Sequence, residues 1–117
     1  MAQSIRVLYR GVQGRVRKNF NWPPIKLDSP VIITAAEFQP RFGGTTGGTG
    51  IFGGGPKTLG RPLLGAANVY VTNIGPHGEA GGEAGGVEFH LHVDWESPLD
   101  VVVTITVFDD IEVFHQD

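Results

Sequence analysis

Residues 87–108 read VEFHLHVDWESPLDVVVTITVF. From Val87 to Trp95 apolar and polar side chains alternate, which is typical of a half-buried β-strand with one face on a core. From Val101 to Phe108 the chain is rich in β-branched side chains, which favour strands. The Ser97-Pro98 pair marks a turn between the two segments. The stretch therefore predicts two consecutive strands, and the second is the strongest strand candidate in the chain.

Shorter segments with the same alternation precede this stretch. They cover residues 4–10, 15–20, 30–38 and 68–74. The chain has 18 Gly and 8 Pro among 117 residues, which divides it into short pieces. No long segment has the i, i+3, i+4, i+7 apolar spacing of an amphipathic helix. We therefore expect an all-β protein, an antiparallel β-sandwich of roughly six to eight strands, with a jelly roll or small barrel as the alternative.

The connections between these strands are also marked in the sequence. The length fits a single β-sandwich domain over residues 1–117, with mobile Gly-rich loops at 43–55 and 75–86. Gly11 and Gly14 enclose two residues, which predicts a β-hairpin between the first two strands. The C-terminal IEVFHQD, residues 111–117, is a candidate for a last edge strand.

Ile51 and Phe52 stand out because they lie inside the first Gly-rich loop. An apolar pair on a flexible tether is a candidate docking point for a partner or a neighbouring subunit. The alternative is that both side chains fold back onto their own domain.

The charges are strongly polarised along the chain, although the net charge is only −3. Residues 1–61 hold all nine Lys and Arg but only two acids, and residues 62–117 hold ten acids and no Lys or Arg. Within one sheet system the two halves would neutralise each other. Alternatively, the basic half of one subunit meets the acidic half of a neighbour, or contacts nucleic acid.

Several classes of site are excluded by what the chain lacks. There is no Cys, which excludes disulfides, thiolate metal sites and a cysteine nucleophile. There is no G-x-S-x-G elbow and no Walker loop, so a catalytic set is not indicated. The chain has neither a signal-peptide core nor an apolar run long enough to span a bilayer, so we expect a soluble protein whose compartment stays open.

The polar face of the strand at 87–95 is the candidate metal site. His90, His92 and Asp94 share that face, and His-plus-carboxylate sets suit zinc, manganese or non-heme iron. Further ligands would come from Glu96, His77 or His115. The alternatives are an ordinary solvated face and a pH-sensitive contact between subunits. We expect no cofactor unless this face binds a divalent metal.

The spacing of His90, His92 and Glu96 resembles the H-x-H-x3-E part of the first cupin motif. This resemblance implies a metal-binding β-barrel. The sequence departs from the motif on both sides, because its first Gly falls at Ala84 and its last at Val103. Only 21 residues follow Glu96, and they contain no second cupin motif.

The basic N-terminal region is the candidate interaction surface. Arg6, Arg10, Arg15 and Arg17, with Trp22 for stacking, could bind nucleic acid, but the sequence pI of about 5.7 argues against a dedicated binder. Exposed aromatic residues could instead bind a glycan.

Our leading hypothesis is a non-enzymatic, self-associating structural β-domain, a subunit of a homo-oligomer, filament or shell. The alternatives are a metal-binding β-barrel that uses the His90, His92 and Asp94 face, and a glycan- or nucleic-acid-binding module.

Overall fold

A computed structural model describes residues 1–40, 59–78 and 83–117. These residues form seven strands and no helix: β1 (Gln3–Val12), β2 (Gly14–Asn21), β3 (Val31–Pro40), β4 (Gly60–Leu63), β5 (Asn68–His77), β6 (Gly86–Asp94) and β7 (Leu99–Val107). No helix in these ranges is long and apolar enough to cross a membrane.

The strands form two antiparallel sheets. The four-stranded sheet has the order β1-β7-β3-β4, and the three-stranded sheet has the order β2-β6-β5. Every described strand pair is antiparallel. The prediction of an all-β antiparallel sandwich or small barrel is therefore confirmed.

A continuous two-stranded ribbon connects the two sheets. β1 pairs with β7 as far as Val12 opposite Leu99, and β2 then pairs with β6 from Gly14 opposite Val93. Only Gln13 separates β1 from β2, and its side-chain amide donates to the carbonyl oxygen of Trp95 at 3.4 Å. Both strands of the ribbon, β1–β2 and β7–β6, thus pass from one sheet to the other at the same corner.

The predicted hairpin between β1 and β2 is therefore wrong. Gly11 and Gly14 have positive φ angles of 65° and 71°, which few other residues adopt easily. These angles turn the chain into the other sheet instead of back along β1. The physical reason is that β2 pairs with β6 along its whole length, which places it in the other sheet and not beside β1.

The core lies between the inner faces of the two sheets. Its largest fully buried side chains include Phe89, Leu91 and Val93 of β6 and Val101, Val103 and Ile105 of β7, all at most 1% exposed. Burying each such side chain contributes about 1.5–3 kcal/mol. The alternation read from residues 87–108 thus correctly gives the inner faces of both strands. Trp95 is the exception, because β6 ends at Asp94 and the Trp95 side chain is 40% exposed.

The segment from Trp22 to Pro30 closes one end of the three-stranded sheet. Trp22 N–H donates to the carbonyl oxygen of Gly85 at 2.8 Å, and Leu27 N–H donates to that of Gly78 at 2.9 Å. Ile25, within this segment, is fully buried. These contacts connect the chain that follows β2 to the ends of β5 and β6.

Two predicted boundaries need correction. Residues 75–77 belong to β5 and Gly86 belongs to β6, so the strands enter the predicted loop at 75–86 from both sides. The predicted loop at 43–55, with Ile51 and Phe52, lies outside the described residues.

The predicted C-terminal edge strand is wrong. Residues 108–117 are described and form no strand. They follow β7, whose two edges are already occupied by β1 and β3, so the continuing chain has no adjacent free edge. Phe108 N–H instead donates to the carbonyl oxygen of Pro30 at 3.0 Å.

Candidate functional site

The outer face of the three-stranded sheet carries the predicted metal ligands of β6. Because side chains alternate along a strand, burial of Leu91 and Val93 turns His90 and His92 outward. The sheet register places Arg15 and Tyr70 on either side of His92. Two histidines on one face were correctly predicted from the sequence.

The His92 side chain is held by two neighbours on β5. Its ring stacks on that of Tyr70, with centroids 4.4 Å apart and planes within 5° of parallel. Its Nε2 is hydrogen-bonded to Oγ1 of Thr72 at 2.7 Å. One ring nitrogen of His92 is therefore already engaged within the protein.

His90 and Asp94 lie near His92 without forming a complete ligand set. The His90 and His92 ring centroids are 6.3 Å apart in an edge-to-face arrangement. Asp94 acts on Tyr70: the pKa of the Tyr70 hydroxyl is raised mainly by desolvation, and further by the charge of Asp94 and a hydrogen bond to it. The sheet register places Asp94 opposite Asn68 and therefore diagonal to Tyr70.

The other three predicted ligands lie elsewhere. His77 pairs with Gly86, four residues from His90, which corresponds to roughly 13 Å along the strand. Glu96 follows the end of β6, and His115 lies in the exposed C-terminal stretch. Across residues 1–40, 59–78 and 83–117, no group of three or more His, Asp or Glu side chains could hold a metal ion. The metal site remains a prediction.

His77 has a different set of contacts. Its Nδ1–H donates to the carbonyl oxygen of Ala84 at 2.8 Å, and its Nε2 lies 2.7 Å from Oδ1 of Asn19. It thereby connects β5 to β2 across the end of β6. This connection leaves no local signal in the sequence, because Asn19 is 58 residues from His77 in the chain.

The four predicted interaction arginines lie on β1 and β2 and face solvent. Arg10 pairs with Asp100 at 2.9 Å, and Arg17 pairs with Glu88 at 2.6 Å. Arg6 Nε donates to Thr104 Oγ1 at 3.1 Å. Basic and acidic parts of the chain thus meet across the β1–β7 and β2–β6 ladders, which supports neutralisation within the fold. Trp22, the predicted stacking residue, is half-buried against the core.

A second candidate surface is the stretch from Phe108 to Asp117, hereafter the C-terminal segment. Its large apolar side chains Ile111, Val113 and Phe114 are 54%, 78% and 94% exposed. A groove of about 750 Å³ separates the segment from Lys26–Ser29 and Gly78. The sequence predicts an edge strand here and therefore gives no indication of this exposure.

The strands at the sides of the sheets provide a third feature. Within the part of the chain that the structure describes, β1 and β2 are end strands of their sheets. One continuous free edge therefore runs along the ribbon, past the basic side chains of β1 and β2.

Comparisons of the chain with protein-family models, curated proteins and solved structures found no match.

Proposed function

We propose that this chain is a non-enzymatic, self-associating structural β-domain, a subunit of a homo-oligomer, filament or shell. The observation that carries this proposal is the exposure of Ile111, Val113 and Phe114 on one short segment. Scattered exposed apolar residues are ordinary on a protein surface. Three in four consecutive residues, on a segment that forms no strand, are typical of a docking element.

The free edges of the sheets support the same proposal. An edge strand presents unpaired backbone N–H and C=O groups, which are a template for pairing with another chain. β1 is ten residues long and carries no Pro, two properties that favour such pairing. The chain therefore combines an exposed apolar segment with a long edge that can accept a strand.

Light scattering coupled to size-exclusion chromatography tests the proposal over a concentration series. We expect the mass to rise above the 12.5 kDa of one chain as concentration rises. Dilution should restore the smaller species, because specific association is reversible and aggregation of unfolded chains is not. A strict monomer at millimolar concentration, at both low and physiological salt, would rule the proposal out.

The two alternatives remain predictions. Metal binding at His90 and His92 would raise the unfolding temperature when zinc or manganese is added, because a ligand that binds only the folded state stabilises it. Binding of nucleic acid would weaken steeply with salt. The ion pairs of Arg10 and Arg17 leave less free positive charge for phosphate than the sequence suggested.

A further inference from the structure

We infer that the C-terminal segment of one chain adds as a strand to β1 in a second copy, along the edge that no strand of residues 1–40, 59–78 and 83–117 occupies. This inference rests on the proposed function, because it names the two surfaces through which self-association would occur. β-strand addition of this kind uses backbone hydrogen bonds for affinity and alternate side chains for specificity.

The side-chain pattern of β1 selects it as the acceptor. On its outer face Leu8 lies between Arg6 and Arg10, and on its inner face Ile5, Val7 and Tyr9 reach the core. β2 instead presents Arg15, Arg17 and Asn19 on its outer face, with no apolar side chain among them. Of the two free edges of the ribbon, only β1 therefore offers an outward apolar position between two cations.

The C-terminal segment has the complementary pattern. In an extended conformation Glu112 and Phe114 share one face, and Ile111 and Val113 share the other. When Phe114 lies beside Leu8, Glu112 lies beside Arg6 in a parallel pair or beside Arg10 in an antiparallel pair. In a parallel pair Ile111 and Val113 lie beside Ile5 and Val7. Opposite charges and apolar side chains that lie directly across a ladder stabilise the pairing.

The net charges of the two elements favour the same match. The C-terminal segment carries Asp109, Asp110, Glu112 and Asp117 and no Lys or Arg. β1 and β2 carry no acid and five of the nine basic residues, Arg6, Arg10, Arg15, Arg17 and Lys18. Complementary potentials of this kind guide encounter and fix register more than they add affinity.

A second copy is the occupant, because the segment of the same chain leads away from β1. β7 lies between β1 and β3 in its sheet. The Phe108–Pro30 hydrogen bond directs the chain that follows β7 to the β3 side. Beyond it, Ile111 and Phe114 face the groove beside Lys26–Ser29. Asp109, at the base of the segment, forms an exposed ion pair with the Met1 amino group.

This arrangement is head-to-tail, because each chain offers one donor segment and one acceptor edge. Such contacts generate a ring when the rotation closes and an open filament when it does not. One added strand buries less than the roughly 1,200 Å² of a standard stable interface, so each contact is weak and association is strongly concentration-dependent.

A matched pair of variants tests the donor. Phe114→Lys should weaken self-association at least tenfold, because it replaces the apolar side chain beside Leu8 with a cation that Arg6 and Arg10 repel. Leu64→Lys introduces the same charge at a side chain that is 99% exposed elsewhere, and should leave association unchanged. If wild-type protein associates and Phe114→Lys associates equally well, the inference is wrong and the proposed function still stands.

Engineered cysteines test the acceptor, since the chain has no natural Cys. Gln116→Cys protein is mixed with Arg6→Cys, Arg10→Cys or Asn68→Cys protein and oxidised. Asn68 lies on β5, at the other side of the sandwich, and is the control. We expect a disulfide-linked pair with Arg10→Cys for parallel addition or with Arg6→Cys for antiparallel addition, and none with Asn68→Cys.

The same experiment includes the outcomes that contradict the inference. Cross-linking to Asn68→Cys alone, or to none of the three, would show that the segment does not dock on β1. In chains that carry both cysteines, a disulfide confined within single chains at every concentration would show that the segment pairs with its own β1.

Discussion

Arg17 reaches diagonally across the β2–β6 ladder to Glu88, with its Nη2 2.6 Å and its Nε 3.2 Å from the same carboxylate oxygen. His90 lies directly opposite Arg17, and Asn19 lies directly opposite Glu88. The pair joins the basic N-terminal part of the chain to its acidic C-terminal part, although the Arg17 side chain is 72% exposed and that of Glu88 is 42% exposed.

Replacement of Glu88 by Gln should therefore have a small, salt-sensitive effect. Exposed ion pairs contribute about 0–1 kcal/mol, and salt screens them. We expect the free energy of unfolding to fall by less than about 1 kcal/mol at low salt, and the difference to disappear in molar salt. Urea unfolding at both salt concentrations measures this. The control is Glu96→Gln, at an exposed carboxylate that forms no ion pair within the described residues. An equal loss at both concentrations would mean that Glu88 acts through packing.

Replacement of Leu91 by Ala should be the most damaging of the changes considered. Leu91 is fully buried between the sheets, and such truncations cost about 2–5 kcal/mol because they leave a cavity. The matched control is Leu64→Ala, at a side chain that is 99% exposed, where we expect a change within about 0.5 kcal/mol. Urea unfolding of both variants checks the prediction, and similar losses would contradict the assignment of the core.

Gly85 should not tolerate a side chain. A Cβ atom there would collide with the backbone carbonyl of Ile25 and approach the Pro23 oxygen to 3.3 Å. Because backbone has to move, Gly85→Ala should cost about 1–3 kcal/mol. Gly75→Ala is the control, since its Cβ would meet nothing within 4 Å. Thermal unfolding should separate the two variants by several degrees. Equal stability would mean that the Trp22–Pro30 segment packs less closely on Gly85.

Tyr70 should lose its proton only at a pH above its ordinary pKa of about 10. Desolvation is the largest cause and Asp94 adds to it, so Asp94→Asn should lower the pKa of Tyr70 only partly. The chain has two tyrosines, so absorbance titration in a Tyr9→Phe background isolates Tyr70. A raised pKa means that the folded state favours the neutral phenol. Its contribution to stability is thus complete below about pH 10 and is lost as the pH rises through the folded-state value. An unchanged titration in Asp94→Asn would place Asp94 away from the phenol.

Local periodicity was sufficient to predict the strands that form the core, but it did not identify their partners. The alternation of residues 87–108 gives the inner faces of β6 and β7, because burial of every second side chain leaves that signal in the sequence. β4 was missed because Gly60–Leu63 is four residues long, contains Pro62 and forms only by pairing with the end of β3. The hairpin prediction failed because two glycines mark a turn without specifying which sheet follows it.

In the candidate sites too, the sequence predicts which side chains share a face but not which side chains they contact. That His90 and His92 share a face follows from their spacing alone. The contacts of His92 with Tyr70 and Thr72, and of His77 with Asn19, depend on cross-strand neighbours and were not predictable locally. Exposure of the C-terminal segment likewise depends on β7 having both edges occupied.

The pairing of β1 with β7 has a consequence for synthesis of the chain. The Ser4 hydroxyl contacts that of Thr106, 102 residues later, at 2.8 Å. The ribosome adds about 5–20 residues per second, so β1 waits roughly 5–20 s before its partner strand exists. Neither sheet can be completed from the first half of the chain, because β1 and β2 both pair with strands of the last third. Both sheets are therefore completed only after the C-terminal strands are made, and until then β1 and β2 lack the strands with which they pair.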